Sequence, residues 1–177
     1  VQKQKSYDTV AEIPEIVDIA IITIPSQFVE ESILECGQKG IKNIIVVSSG
    51  YSESGEQGIE REFRLRKLID KYQLNLLGPN CLGAINARNN LNLSFAHNPR
   101  KFSRGKISII SQSGAMGTAF LDWSITNNIE ISKFVSLGNK AGLNELDFLE
   151  YLEQDKETEI ILAYLENFAD GRKFYEL

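Results

Sequence analysis

Cysteine is scarce in this chain, and its two residues, Cys36 and Cys81, lie far apart without ligand-like spacing, which excludes a disulfide framework and a zinc site. A reducing, cytoplasmic setting fits, and no metal site is expected. No apolar run reaches the roughly 18 residues that a membrane span needs. Val1 to Lys5 is polar, so no secretory signal is expected either. Basic side chains number 19 against 24 acidic ones, for a net charge of -5. A nucleic-acid surface needs a clustered basic excess, and none is present. Arg61, Arg64, Arg66 and Lys67 stand among Glu60, Glu62 and Asp70 on a helical pattern, which reads as a solvated, salt-bridged face. Histidine occurs once, at His97. With no histidine beside it in sequence, Cys81 reads as a packing residue rather than a nucleophile.

What the 177 residues do contain is an alternation of strand and helix patterns, the signature of parallel sheets with crossover helices. Val17 to Ile24 is a β-branched run with the look of a central strand buried on both faces. A helix is predicted over Ser26 to Gln38, stopped by Gly37 and Gly40, and a strand over Asn43 to Ser48. Glu56 to Tyr72 is a long amphipathic helix, and Leu74 to Leu77 a short strand. The Asn-rich stretch from Ala84 to Gly105 breaks the rhythm and reads as a connection, with a short strand at Leu91 to Phe95. The alternation then restarts with a strand at Lys106 to Ile110, a helix from Gly114 to about Asn127 and a strand at Ile131 to Ser136. A helix at Glu145 to Glu153, a strand at Thr158 to Leu165 and a helix from Asp170 complete it. The expected fold is α/β, made of two partial doubly wound units. Both units look incomplete, so the chain is expected to be a piece of something longer.

The most informative stretch is Ile107 to Trp123, ISIISQSGAMGTAFLDW, where an apolar strand ends in Ser-Gln-Ser-Gly and runs into a helix. A helix start carries unpaired N–H groups and a partial positive charge, so Ser111, Ser113, Gly114 and Ala115 form a candidate phosphate cradle. The local pattern alone also fits Ser113 as a plain N-cap. Two further small-residue turns, Ser48 to Glu53 and Leu77 to Gly83, follow apolar runs in the same way.

Taken together, EIP...VDIAIITIP at Glu12 to Pro25, CGQKGIKNIIVVSSGYSESGEQG at Cys36 to Gly58, LLGPNCLGAIN at Leu76 to Asn86, GKISIISQSGAMG at Gly105 to Gly117 and the segment Phe134 to Phe174 resemble the NDP-forming acyl-CoA synthetases. That family includes the ADP-forming acetyl-CoA synthetases and is related to the succinyl-CoA synthetase alpha subunit. The resemblance implies that residues 1–86 are the C-terminal part of a Rossmann-like CoA-binding domain, 87–104 a linker, and 105–177 the first part of a flavodoxin-like ligase domain. It implies an acid-thiol ligase that interconverts acyl-CoA, ADP and phosphate with carboxylic acid, CoA and ATP through a phosphohistidine. CoA or acyl-CoA and phosphate are the implied ligands here. ADP or ATP with magnesium would be held by an ATP-grasp domain or beta subunit, in a homo- or hetero-oligomer. Thr23, Ile24, Pro25, Ser48, Ser49, Gly50 and Asn80 match the CoA-facing positions, and Glu166 matches the glutamate that orients the histidine.

The sequence departs from the family's pattern at His97, which sits in Ala-His-Asn-Pro rather than Ser-His-Thr-Gly. The phosphorylated histidine is therefore expected beyond Leu177, and the glycine-rich first turn of the CoA domain before Val1. The piece alone is expected to show no turnover and weak CoA affinity. The same motifs also fit a CoA sensor or the CoA-binding regulatory module of a protein acetyltransferase. A nicotinamide-binding protein is disfavoured, because no intact GxGxxG is present.

Overall fold

The structure, a computed structural model, describes residues 5–96 and 104–177; His97 lies outside them. The first unit grows from three short parallel strands, β1 (Ile19–Ile22), β2 (Asn43–Val46) and β3 (Asn75–Leu77), in that order across the sheet. Helices α1 (Ser26–Lys39) and α2 (Glu56–Tyr72) make the two crossovers. Gly40, at φ 87°, ends α1: its N–H reaches the Cys36 and Gly37 carbonyls, and the Ile41 N–H returns to Cys36 at 2.9 Å. A left-handed glycine at this point satisfies the helix's last carbonyls without steric cost.

Successive side chains on a strand point to opposite faces, and this alternation splits the first sheet's contacts in two. Ile22, Ile44, Val46 and Leu76 join Val29 and Ile33 of α1 and Leu65 of α2 in one core. Ile45 and Leu77 face the other way, into a core shared with Ile110, Val135 and Leu137 of the second unit.

The sequence reading expected β1 to be buried on both faces. Among the described residues it pairs with β2 alone, and Ile19 and Ile21 are 37% and 43% exposed. The second unit covers the reverse side of β2 and β3 and stops short of β1.

The second sheet contains β4 (Gly83–Asn86), β5 (Leu91–Ser94), β6 (Arg104–Ser111), β7 (Ile131–Ser136) and β8 (Ile160–Tyr164), ordered β5-β4-β7-β6-β8. Strands β7, β6 and β8 are parallel, whereas β4 runs antiparallel to both β7 and β5. Helices α3 (Gly114–Thr126), α4 (Glu145–Glu153) and α5 (Gly171–Glu176) belong to the same unit. The second sheet thus begins at Gly83, well before residue 105, and the described part of the expected 87–104 linker is largely hairpin. Asn90, at φ 53°, closes its turn by donating to the Ala87 carbonyl at 3.3 Å. Asparagine tolerates that left-handed geometry, so the composition that suggested a linker is in fact turn chemistry.

Gly58, inside α2, carries a sharper constraint. A Cβ there would lie 1.7 Å from the Tyr51 carbonyl oxygen. Replacing glycine with alanine within a helix ordinarily gains about 1 kcal/mol, but here the overlap with backbone reverses the sign. Gly58→Ala is expected to lower stability by about 1–3 kcal/mol, read as a lower urea midpoint at unchanged slope. A raised midpoint would show that the Tyr51 turn yields freely.

Candidate functional site

Five strand ends from the two sheets meet at one cleft of about 690 Å³. Beyond β2 come Val47 and Ser49, beyond β3 Asn80 and Cys81, beyond β6 Gln112 and Ser113, beyond β7 Gly138 and Asn139, and beyond β8 Glu166 and Asn167. All are carboxyl ends, the side of a parallel sheet on which ligands bind.

The first turn of α3 forms one wall. Ser113 caps the helix, its Oγ accepting from the Met116 N–H at 3.3 Å, and Gly114 and Ala115 line the cleft beside it. Capping and anion binding are compatible here. The cap uses a lone pair on the hydroxyl oxygen and leaves its hydrogen free for a ligand acceptor. The Gly114 and Ala115 N–H groups are among those a helix start leaves without an intrahelical carbonyl.

Ser111 plays a different part from the one expected. It is 0% exposed, and its hydroxyl donates to the Ser113 carbonyl at 2.7 Å. It shapes the turn from beneath rather than facing a ligand.

Glu166 lines the same cleft from the end of β8. Its N–H donates to Gln112 Oε1 at 3.1 Å, and the Asn167 N–H to the same oxygen at 3.4 Å. Gln112 thus ties the Glu166 turn to the start of α3. The Ser-Gln-Ser-Gly motif held this residue, but sequence reasoning passed over it in favour of the serines.

The expected CoA-facing residues divide into two groups. Ser49 and Asn80 line the cleft, whereas Thr23, Ile24 and Pro25 do not. Those three lie exposed on the turn between β1 and α1, linked to the β2 end by the Ser48 hydroxyl, which donates to the Ile24 carbonyl. Gly50 also stays outside the lining. Its left-handed φ of 99° turns its N–H to Glu53 and its carbonyl to Arg61.

Asn139 is the residue that sequence reasoning missed most completely. Its Nδ2 donates toward Ser52 Oγ and Glu62 Oε2, each at 3.1 Å, and toward Glu53, while its Oδ1 accepts from Asn80 Nδ2 at 3.3 Å. Its only sequence signal was the Gly-Asn-Lys-Ala-Gly turn. Burial alone would raise both carboxyls, but hydrogen bonds outweigh it: from Asn139 and the Gly50 and Tyr51 N–H groups at Glu53, and from Ser52, Arg66 and Asn139 at Glu62. Both are held below the ordinary carboxylate value. Cys81 lies at the back of the cleft, 5% exposed, with its thiol directed at the Val46 carbonyl at 3.3 Å. Burial pushes that thiol up to about 12, which leaves it protonated and unreactive at neutral pH.

Two family models match the chain: a CoA binding domain over residues 1–50 and a succinyl-CoA ligase like flavodoxin domain over residues 104–177. The alpha subunit of acetate–CoA ligase [ADP-forming] II from Pyrococcus furiosus is 41% identical over all of this chain and 38% of its own length. The chain belongs to the NDP-forming acyl-CoA synthetase family. Acetate–CoA ligase [ADP-forming] I from Archaeoglobus fulgidus is 46% identical over 95% of this chain and 24% of its own length. The dinucleotide-forming acetyl-coenzyme A synthetase 1 of Ca. Korarchaeum cryptofilum, solved with phosphate and ADP, superposes with a TM-score of 0.92 at 38% identity, over 99% of this chain and 38% of that one. This acyl-CoA synthetase chain therefore spans well under half the length of these relatives. They are ligases, and they lend no support to the regulatory-module reading.

The depressed carboxyls give the site an acid limit. An unfolded chain titrates these groups near 4.5 and so takes up protons before the folded one as pH falls. Their stabilisation is complete above that value and is lost as pH drops through the lower folded values. Glu62→Gln is expected to cost about 1–3 kcal/mol at pH 7, with the gap from the parent narrowing below pH 4.5 in thermal melts. A gap independent of pH would remove Glu62 from the acid limb.

Proposed function

We propose that this chain forms the acyl- and phosphoryl-handling part of an ADP-forming acyl-CoA synthetase. The observation that carries the reading is the first turn of α3, with the Ser113 hydroxyl and the Gly114 and Ala115 N–H groups, sharing with Glu166 a cleft built from strand carboxyl ends. In this reading phosphate attacks the acyl carbonyl carbon of acyl-CoA. The C–S bond breaks, CoA leaves as the thiolate, and an acyl phosphate remains over α3. A histidine nitrogen from a segment outside these residues then takes the phosphoryl group, releasing the carboxylate, and passes it to ADP. Preorganised N–H donors serve such chemistry because the charge of the transferring group is spread over its equatorial oxygens. Glu166 holds the imidazole in the right tautomer and supports its positive charge during transfer.

Ser49 and Asn80 meet the CoA thioester end in the cleft, and the Thr23 to Pro25 turn with Ser48 and Gly50 carries the more distant part of CoA. The first unit through β3 serves as the CoA-binding part, and the ligase part begins with the β4–β5 hairpin. ADP or ATP with magnesium belongs to an ATP-grasp domain or beta subunit, within an oligomer. Cys36 and Cys81, both free and buried, suit a reducing cytoplasm.

The test uses the full-length protein with any partner subunit, incubated with labelled ATP and magnesium. An acid-labile, base-stable label that is returned to ADP is the expected outcome; no label in a folded, CoA-binding protein would overturn the reading. Ser113→Gly keeps most of the cap energy, since glycine costs only a few tenths of a kcal/mol there, and so isolates the lost hydroxyl donor. It and Glu166→Gln are each expected to slow phosphoryl transfer by about tenfold or more while leaving CoA affinity within about twofold of the parent. Equal losses in both quantities would refute the role assignment.

A further inference from the structure

Lys140 and Glu145 form an ion pair at 2.9 Å with side chains only 7% and 0% exposed. Such a pair gives up so much hydration that apolar replacement is often neutral or stabilising. Stability alone is therefore a poor reason for it, and its remaining hydrogen bonds point elsewhere. Lys140 Nζ donates to the Asn167 carbonyl at 2.9 Å, and Glu145 Oε1 accepts from the Ala169 N–H. Both partners lie on the short segment that opens with Glu166.

From the other side, Gln112 Oε1 accepts from the Glu166 and Asn167 N–H groups. Among the described residues, no backbone–backbone hydrogen bond reaches 166–169. Phe168 packs on Phe174 with ring centroids 4.4 Å apart, an apolar contact that anchors the segment without setting its direction. The seat beneath is itself fixed. Lys140 sits at φ 58°, and Arg66 of α2 donates to the Lys140 and Ala141 carbonyls at 3.2 and 3.0 Å. Glu145 opens α4 directly after Asn144, whose capping box with Asp147 fixes that helix start.

We infer that the Lys140–Glu145 pair is a positioning device for Glu166, fixing the 166–169 turn against Gln112 and so holding this carboxylate in place within the cleft that the first turn of α3 also lines. The link to catalysis rests on the function proposed above; the clamp on the turn does not.

The experiment compares Lys140→Met, Lys140→Arg and the double variant Lys140→Met/Glu145→Leu in the full-length protein with its partner subunit. Lys140→Met is expected to lower kcat about tenfold or more with KM for CoA within about twofold, and Lys140→Arg to keep most of kcat. The double variant removes both charges, so its thermal midpoint is expected to match or exceed the parent's while kcat stays low. A double variant that recovers kcat together with its melting temperature would overturn the inference and leave the pair a purely structural feature. Amide exchange of the 166–169 peptide supplies a readout independent of turnover. It is expected to quicken about tenfold or more in the double variant, and unchanged exchange would overturn the clamp. A parent without ligase turnover counts against the proposed function, and the exchange result then decides the positioning role by itself.

Discussion

The contact on which the cleft depends is apolar: Ile45, Leu77 and Cys81 of the first unit against Ile110, Val135 and Leu137 of the second. Each fully buried aliphatic side chain contributes about 1.5–3 kcal/mol, whereas an exposed ion pair contributes about 0–1 kcal/mol. This seam, and not the charge pairs around it, therefore decides how the two sheets meet. It forms because strand alternation sends Ile44 and Val46 one way, toward α1 and α2, and Ile45 the other. A one-residue slip of β2 would exchange those sets and remove the seam. Because the seam lies just behind the carboxyl ends of β2, β3, β6 and β7, those ends converge on one opening.

Polar contacts across the seam then set direction, which apolar packing cannot. Arg66 reaches from α2 to two carbonyls of the 138–142 turn, and Asn139 of that turn reaches back to Ser52, Glu53 and Glu62. Glu62 is only 6% exposed, a costly place for a carboxylate, and it is tolerated because Arg66, Asn139 and the Ser52 N–H all donate to it. The same turn seats Lys140. A line of directional contacts thus runs from α2 through the turn to the segment that carries Glu166, and the placement of that carboxylate registers how the units dock.

What the sequence showed plainly was local. α2, α4 and β7 fall at the residues read from periodicity and caps, and α1 ends at Gly40, one of the two glycines read as its stop, while Gly37 lies within the helix. The approach of Ser113, Gly114, Ala115 and Glu166 to one cleft was likewise legible, through strand ends and family motifs together. What escaped depends on partners distant in the chain. Ile21 is exposed among the described residues because the second unit stops short of it; Ser111 is buried because β7 and β8 flank β6; β4 belongs to the second sheet because it pairs with β7. Asn139 and Gln112 were missed for the same reason, since an amide shows its importance only when its acceptors and donors are known.

The electrostatics of the cleft carry the last step. Two carboxylates, Glu53 and Glu166, line the cavity that the proposed function assigns to phosphate, an arrangement that would repel this anion if both charges were free. They are not equivalent. Glu53 is engaged by the Gly50 and Tyr51 N–H groups and by Asn139, so its charge is answered within the fold. Glu166, among the described residues, forms no ion pair. In the proposed function such a carboxylate, sharing a cleft with the phosphate, is favourable only when a positive group stands between them, and an imidazole that gains charge as it exchanges a phosphoryl group would meet that requirement. The clamp on the 166–169 turn then has a physical purpose, because a carboxylate left free to swing toward α3 would compete with the phosphate for the same N–H groups.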